Sequence, residues 1–171
     1  MHFTVSEWFP PFFLYLYYNS EAWDLYTEHD FKTWDSSPIE KVQQQFCKRY
    51  LETNNKASYL AYRAEIGRFP LIININEHIL NYILYLKNKD DESLLKQMFL
   101  TSVDLNSVGK RSVYSNLTNI VDFYNLNNFN LNTLDENKIN HYNNLMKQKD
   151  ISYWKNAVQY FNKLEFYNIF Q

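Results

Sequence analysis

At 171 residues, 46% of them hydrophobic and 19% aromatic, the chain is long enough for one buried core and too apolar to be disordered by composition. Two glycines and four prolines supply too few turn residues for a sandwich or barrel, which points to helices joined by polar loops. The single cysteine excludes an internal disulfide and a multi-cysteine zinc site, while the net charge of −2 conceals an uneven distribution.

Residues 1–40 carry seven acids against one lysine, and residues 41–68 carry six bases against two acids. The remainder is balanced. The opening "MHFTVSEWFPPFFLYLYY" holds an apolar run, Phe12 to Tyr18, well short of the roughly 20 residues that span a bilayer. It has neither a basic leader nor a small-residue cleavage site. An intracellular protein with no membrane partner is therefore expected, nucleus and cytoplasm being indistinguishable. Without an export signal, the sequon Asn116-Leu-Thr118 carries no weight. The organisation expected is an acidic, aromatic, poorly defined N-terminal segment, 1–35, followed by a helical domain, 36–171.

In "SSPIEKVQQQFCKRYLET", Ser36 or Ser37 is a capping residue and Pro38 suits a first helical turn. Ile39, Val42, Phe46 and Tyr50 recur at helical spacing, with Lys41, Gln44, Gln45 and Lys48 on the opposite face. "KASYLAYRAEI" predicts a second, short helix closed by Gly67 in a left-handed conformation. Pro70 opens the third, "PLIININEHILNYILYLKNK", where Ile72, Ile75, Ile79, Tyr82, Ile83 and Leu86 form a broad apolar stripe. Asp90 or Asp91 is expected to cap "ESLLKQMFLTSVDL", with Leu94, Leu95, Met98 and Phe99 facing inward. Ser112 then caps "VYSNLTNIVDFYNL", with Val113, Leu117, Ile120, Val121 and Tyr124 on one side. An asparagine-rich linker leads to a weaker helix, about Leu134–Lys149, and a last one from Ser152 to about Phe170, with Trp154, Val158, Phe161 and Leu164 on its apolar side. The fold class expected is all-α, six or seven amphipathic helices in one irregular bundle.

None of this makes a catalytic site. His2, His29, His78 and His141 are not paired at metal-ligand spacing, and His78 reads as a solvated or half-buried side chain. Cys47 reads as a small core residue, and as a nucleophile only if a histidine approaches in space. The carboxylates of "DSS" and "KDDES" are capping chemistry. No phosphate-cradling loop, dinucleotide fingerprint or zinc motif occurs. Neither a metal nor a cofactor is expected. The remaining feature is the basic segment: Lys41, Lys48, Arg49, Lys56, Arg63 and Arg68 are candidates for contacts to nucleic-acid phosphates, because long cations spread over one surface suit that task. A solvated helical face kept charged for solubility is the competing reading.

Four strings carry a resemblance. "YNSEAWDLY" supplies Tyr18, Ser20, Glu21 and Trp23. "DFKTWDSSPIEKVQQQFCKRYL" supplies Ile39, Glu40, Lys41, Phe46, Cys47 and Lys48. "NNKASYLAYRAEIGRFPLIININEHILNYILYL" holds Glu65 through Leu71, and "KLEFYNIF" runs from Lys163 to Phe170. In this order and spacing they resemble the segment downstream of the polymerase core in reverse transcriptases of animal non-LTR (LINE-type) retrotransposons, over roughly residues 15–170. That family's aromatic-Ala-Asp-Asp signature has no counterpart here, since Asp90-Asp91 sits in a loop before a helix, and its endonuclease and Cys/His-rich elements are also absent. The resemblance implies a truncated, thumb-proximal and post-polymerase region, not an enzyme on its own. It further implies sequence-independent contact with RNA or an RNA/DNA hybrid, and the missing polymerase portion as a partner. The alternative from another class is a helical protein–protein interaction module, or a transposon remnant without selected function.

Overall fold

The computed structural model describes residues 31–53 and 58–160. Expectations for the aromatic opening, for Lys56, for Phe161 and Leu164, and for the strings at residues 18–26 and 163–170 lie outside the described residues. The fold is all-α. A 3-10 turn, Trp34–Ser36, leads into α1, Pro38–Tyr50; α2 is Tyr59–Ile66, α3 Leu71–Lys87, α4 Leu94–Ser107 and α5 Val113–Tyr124; a second 3-10 turn, Leu131–Thr133, precedes α6, Glu136–Tyr160. Among the described residues there is no strand.

Helix α3 is the axis of the molecule. Ile72, Ile73, Ile75, Ile79, Leu80 and Ile83 are all buried, so it is apolar around most of its circumference, as a helix covered on several sides must be. It packs against α1, α4, α5 and α6. Phe99 of α4, Leu117 and Ile120 of α5, and Ile139, Tyr142 and Met146 of α6 complete this core. Phe31 and Trp34 also lie in it, so the described end of the N-terminal segment packs into the helical domain. A smaller cluster stands apart: Leu60 of α2 against Val158 of α6, flanked by Trp154 and Ala157.

Several boundaries follow from local chemistry. Ser37 caps α1 by accepting from the Glu40 N–H at 3.2 Å, with Pro38 in the first turn. Gly67 ends α2 at φ +66°, and the Arg68 N–H donates back to the Arg63 carbonyl at 3.1 Å, the long bond of a Schellman cap. The α4–α5 connection turns at Gly109, φ +73°. It is then locked by Ser102, whose hydroxyl oxygen accepts from Tyr114 N–H and whose carbonyl accepts from Ser112 Oγ, both at 2.8 Å.

Four expectations are corrected. The cap of α4 is Ser93, which accepts from Lys96 N–H at 3.2 Å, not Asp90 or Asp91. Of the residues expected inward on α4, only Phe99 is buried; Leu94, Leu95 and Met98 are exposed. The two C-terminal helices are one 25-residue helix, because Ser152 does not cap; its hydroxyl donates to the Gln148 carbonyl one turn back and the ladder continues.

The fourth correction concerns α1, which is rotated by about one residue from the face its apolar pattern predicts. Val42 and Tyr50 are exposed, Ile39 and Phe46 half-buried, while Glu40, Gln43 and Cys47 are buried. The physical reason is a set of polar bonds that the α1 inner face makes to the turn between α2 and α3, described next.

Candidate nucleic-acid interface

The inner face of α1 is held by a carboxylate. Glu40, 1% exposed, accepts through Oε2 from Trp34 Nε1 at 2.8 Å and from the Leu71 N–H at 2.9 Å. Leu71 is the first residue of α3, preceded by Pro70 with no side-chain cap, so Glu40 satisfies a helix N-terminal donor that would otherwise be orphaned in the core. Gln43, one turn on, donates to the Phe69 carbonyl at 3.3 Å. Burial nonetheless pushes the Glu40 carboxyl above the ordinary value, although both of these donors and the nearby Arg63 charge oppose the rise. Cys47 completes the buried row at 1% exposure. Desolvation raises its thiol too, despite the positive charges of Arg68 and Arg63. A buried thiol held protonated is a core residue and a poor nucleophile.

Turning Glu40 inward leaves the outer face of α1 with no acid of its own. Lys41 and Arg49 are exposed there, and Lys48 is half-buried, its ammonium 5.7 Å from the Tyr62 ring centroid. Positions 41, 48 and 49 lie two helical turns apart on one side, a basic stripe about 12 Å long. Arg68 is half-buried on the turn after Gly67, and its charge opposes the effect of burial on the Cys47 thiol.

Arg63 is a correction to the candidate set. It is 6% exposed and faces the interior, where Nη2 donates to Asp150 Oδ2 of α6 at 2.6 Å and Nε to the Arg68 carbonyl at 3.3 Å. Burial raises the Asp150 carboxyl, and Arg63 pulls it back down. A guanidinium spent on a buried pair 87 residues away is not available to a phosphate, and no local pattern could have announced it. The structure thus brings Lys41, Lys48 and Arg49 together on one side of α1, leaves Arg68 on the α2–α3 turn and turns Arg63 inward.

Trp154 fixes the other side of this region, its indole N–H donating to the Leu60 carbonyl at 2.9 Å. Between α2 and α6 lies an open cleft of about 290 Å³ that Arg68, Phe69, Ile151 and Trp154 help to line. Among the described residues no group of three or more His, Cys, Asp and Glu is placed to hold a metal ion, and no helix is long and apolar enough to cross a membrane. His78 and His141 are exposed.

Comparison with family models, with curated proteins and with solved structures finds no match to this chain.

Proposed function

We propose that this chain is a helical region of the kind that follows the polymerase core in non-LTR reverse transcriptases. It is non-catalytic by itself and grips the backbone of RNA or an RNA/DNA hybrid without sequence preference. The observation that carries this reading is the polarity of α1, whose only acid, Glu40, is turned into the core while Lys41, Lys48 and Arg49 stay on the outer side. Cations on a rigid helix, with no carboxylate of that helix among them, neutralise phosphates and release counterions. A further support is that Glu40 and Leu71, two residues that carry the family resemblance, bond to one another in the core. The polymerase carboxylates that two-metal chemistry needs are to be sought in a partner portion.

The exposed apolar side of α4 favours a second reading, a helical interaction module, and the two are compatible. Fluorescence anisotropy of a labelled unstructured RNA and of an RNA/DNA hybrid, across a salt series, tests the first. Binding is expected to be micromolar or weaker. Three contacts at about 0.7–0.9 each give a log–log salt slope near −2 to −3. Lys41→Ala with Arg49→Ala flattens that slope by about 1.5, whereas Lys110→Ala with Arg111→Ala, an equal loss of charge in the α4–α5 connection, leaves it nearly unchanged. Equal losses from the two pairs, or no binding at low salt, refute the grip.

A further inference from the structure

The α4 helix offers the surrounding water an apolar stripe that nothing in the core requires. Leu94 is 72% exposed, Met98 60%, Leu105 36% and Val108 68%, and Thr101 between them is also exposed. Their spacing alternates between four and three residues from 94 through 98, 101 and 105 to 108, the a/d rhythm of a two-helix seam. The inward side of the same helix is already occupied, by Phe99 and Ser102. A helix that needed only one packed face would carry polar residues at 94, 98, 105 and 108.

Charge at the two ends of this seam says what covers it. The N-terminal end is acidic: Asp90, Asp91 and Glu92 are all exposed, Asp91 at 94% with only a 4.0 Å approach from Lys96. The C-terminal end is basic, with exposed Lys110 and Arg111. Two copies of α4 laid antiparallel about a two-fold axis at Thr101 set Leu94 of one against Val108 of the other. Acids then meet bases at both ends. A parallel pairing would oppose like charges at both ends, so the same residues specify the direction.

We propose that the exposed face of α4 is a self-association surface, on which a second copy of this chain docks antiparallel through Leu94, Met98, Leu105 and Val108. The seam is about 21 Å long and one helix wide, below the size of a standard stable interface. The dimer is therefore weak and reversible, with Kd on the order of 100 μM. This surface is separate from the basic stripe of α1 and stands whether or not the chain binds nucleic acid.

Sedimentation equilibrium of the full chain, from about 10 μM to 1 mM, should show mass rising from monomer towards dimer. Met98→Glu, at an exposed position, should leave the far-UV circular dichroism intact and weaken association by about tenfold or more, because a charge would be buried on the seam. Asp91→Lys with Glu92→Lys should weaken it, as should Lys110→Glu with Arg111→Glu, and the four changes together should restore it. Thr101→Cys should form a disulfide-linked dimer on mild oxidation, while Asn140→Cys, exposed on α6, should not; the buried Cys47 stays out of the exchange. A chain monomeric throughout the range overturns the proposal. So does a Thr101→Cys yield no greater than that of Asn140→Cys, or a Met98→Glu variant that unfolds, since the last would mean that the chain's own residues cover the seam.

Discussion

Replacing Glu40 by alanine isolates the device that sets the rotation of α1. Two buried donors, Trp34 Nε1 and the Leu71 N–H, would lose their common acceptor. Each buried unsatisfied donor costs about 1–3 kcal/mol, so the pair amounts to about 3 kcal/mol, a large part of the 5–15 kcal/mol of an ordinary domain. Urea unfolding followed by circular dichroism, with a slope of about 2 kcal/mol per molar, should show the midpoint falling by about 1.5 M. Glu40→Gln retains an acceptor but brings two amide protons into the same space, and should cost about half as much. The pH dependence follows from the raised carboxyl. Its folded pKa lies above its unfolded value near 4.5, so the native state binds the proton more readily. That contribution to stability is fully present below the unfolded pKa and is lost as pH rises through the folded one. Glu40→Gln should flatten this part of the profile. A midpoint within about 0.3 M of wild type for Glu40→Ala, or a loss no larger than that of the exposed control Glu65→Ala, would refute this account of the α1–α3 junction.

Gly67→Ala meets no atom within 4 Å of the new Cβ, so its cost is that of a left-handed alanine alone, about 1 kcal/mol by the same urea titration; a neutral or stabilising result would contradict the Schellman cap. Asp150→Ala leaves the Arg63 guanidinium buried without its carboxylate and should destabilise by about 3–5 kcal/mol, whereas Arg63→Met with Asp150→Leu should recover most of that loss. A double variant as unstable as Asp150→Ala would show that the site tolerates no apolar replacement.

Much of the architecture was legible in the chain because its signals are local. The α3 stripe, the serine before Pro38 and the glycine after Ile66 each act within a turn or two, and each lands where the sequence puts it. The basic stripe was legible to the extent that Lys41 and Lys48 lie seven residues apart. The face of α1 was not, since hydrophobicity alone favours Ile39, Val42, Phe46 and Tyr50. What overrode it was an orphan N–H at Leu71, 31 residues away, whose demand for an acceptor cannot be read from α1. The fate of Arg63 depended on Asp150 in the same way. On α4 the apolar pattern was visible but its destination was not, because periodicity says which residues share a face and not whether the chain itself covers that face.

The small cluster that joins α2 to α6 has a consequence for how the chain comes off the ribosome. Helix α2 has eight residues, too few to hold together alone in water, and its anchors arrive late: Asp150 follows Arg63 by 87 residues and Trp154 follows Leu60 by 94. At about 5–20 residues per second, α2 waits from about 4 to nearly 20 s for those partners. During that interval Leu60 and Arg63 lack their α6 partners, although α1 already lies beside α2, with Lys48 over the Tyr62 ring. Nascent chains stopped short of Asp150 would keep α2 in that state permanently, and protease cleavage should concentrate there while α3–α5 resist.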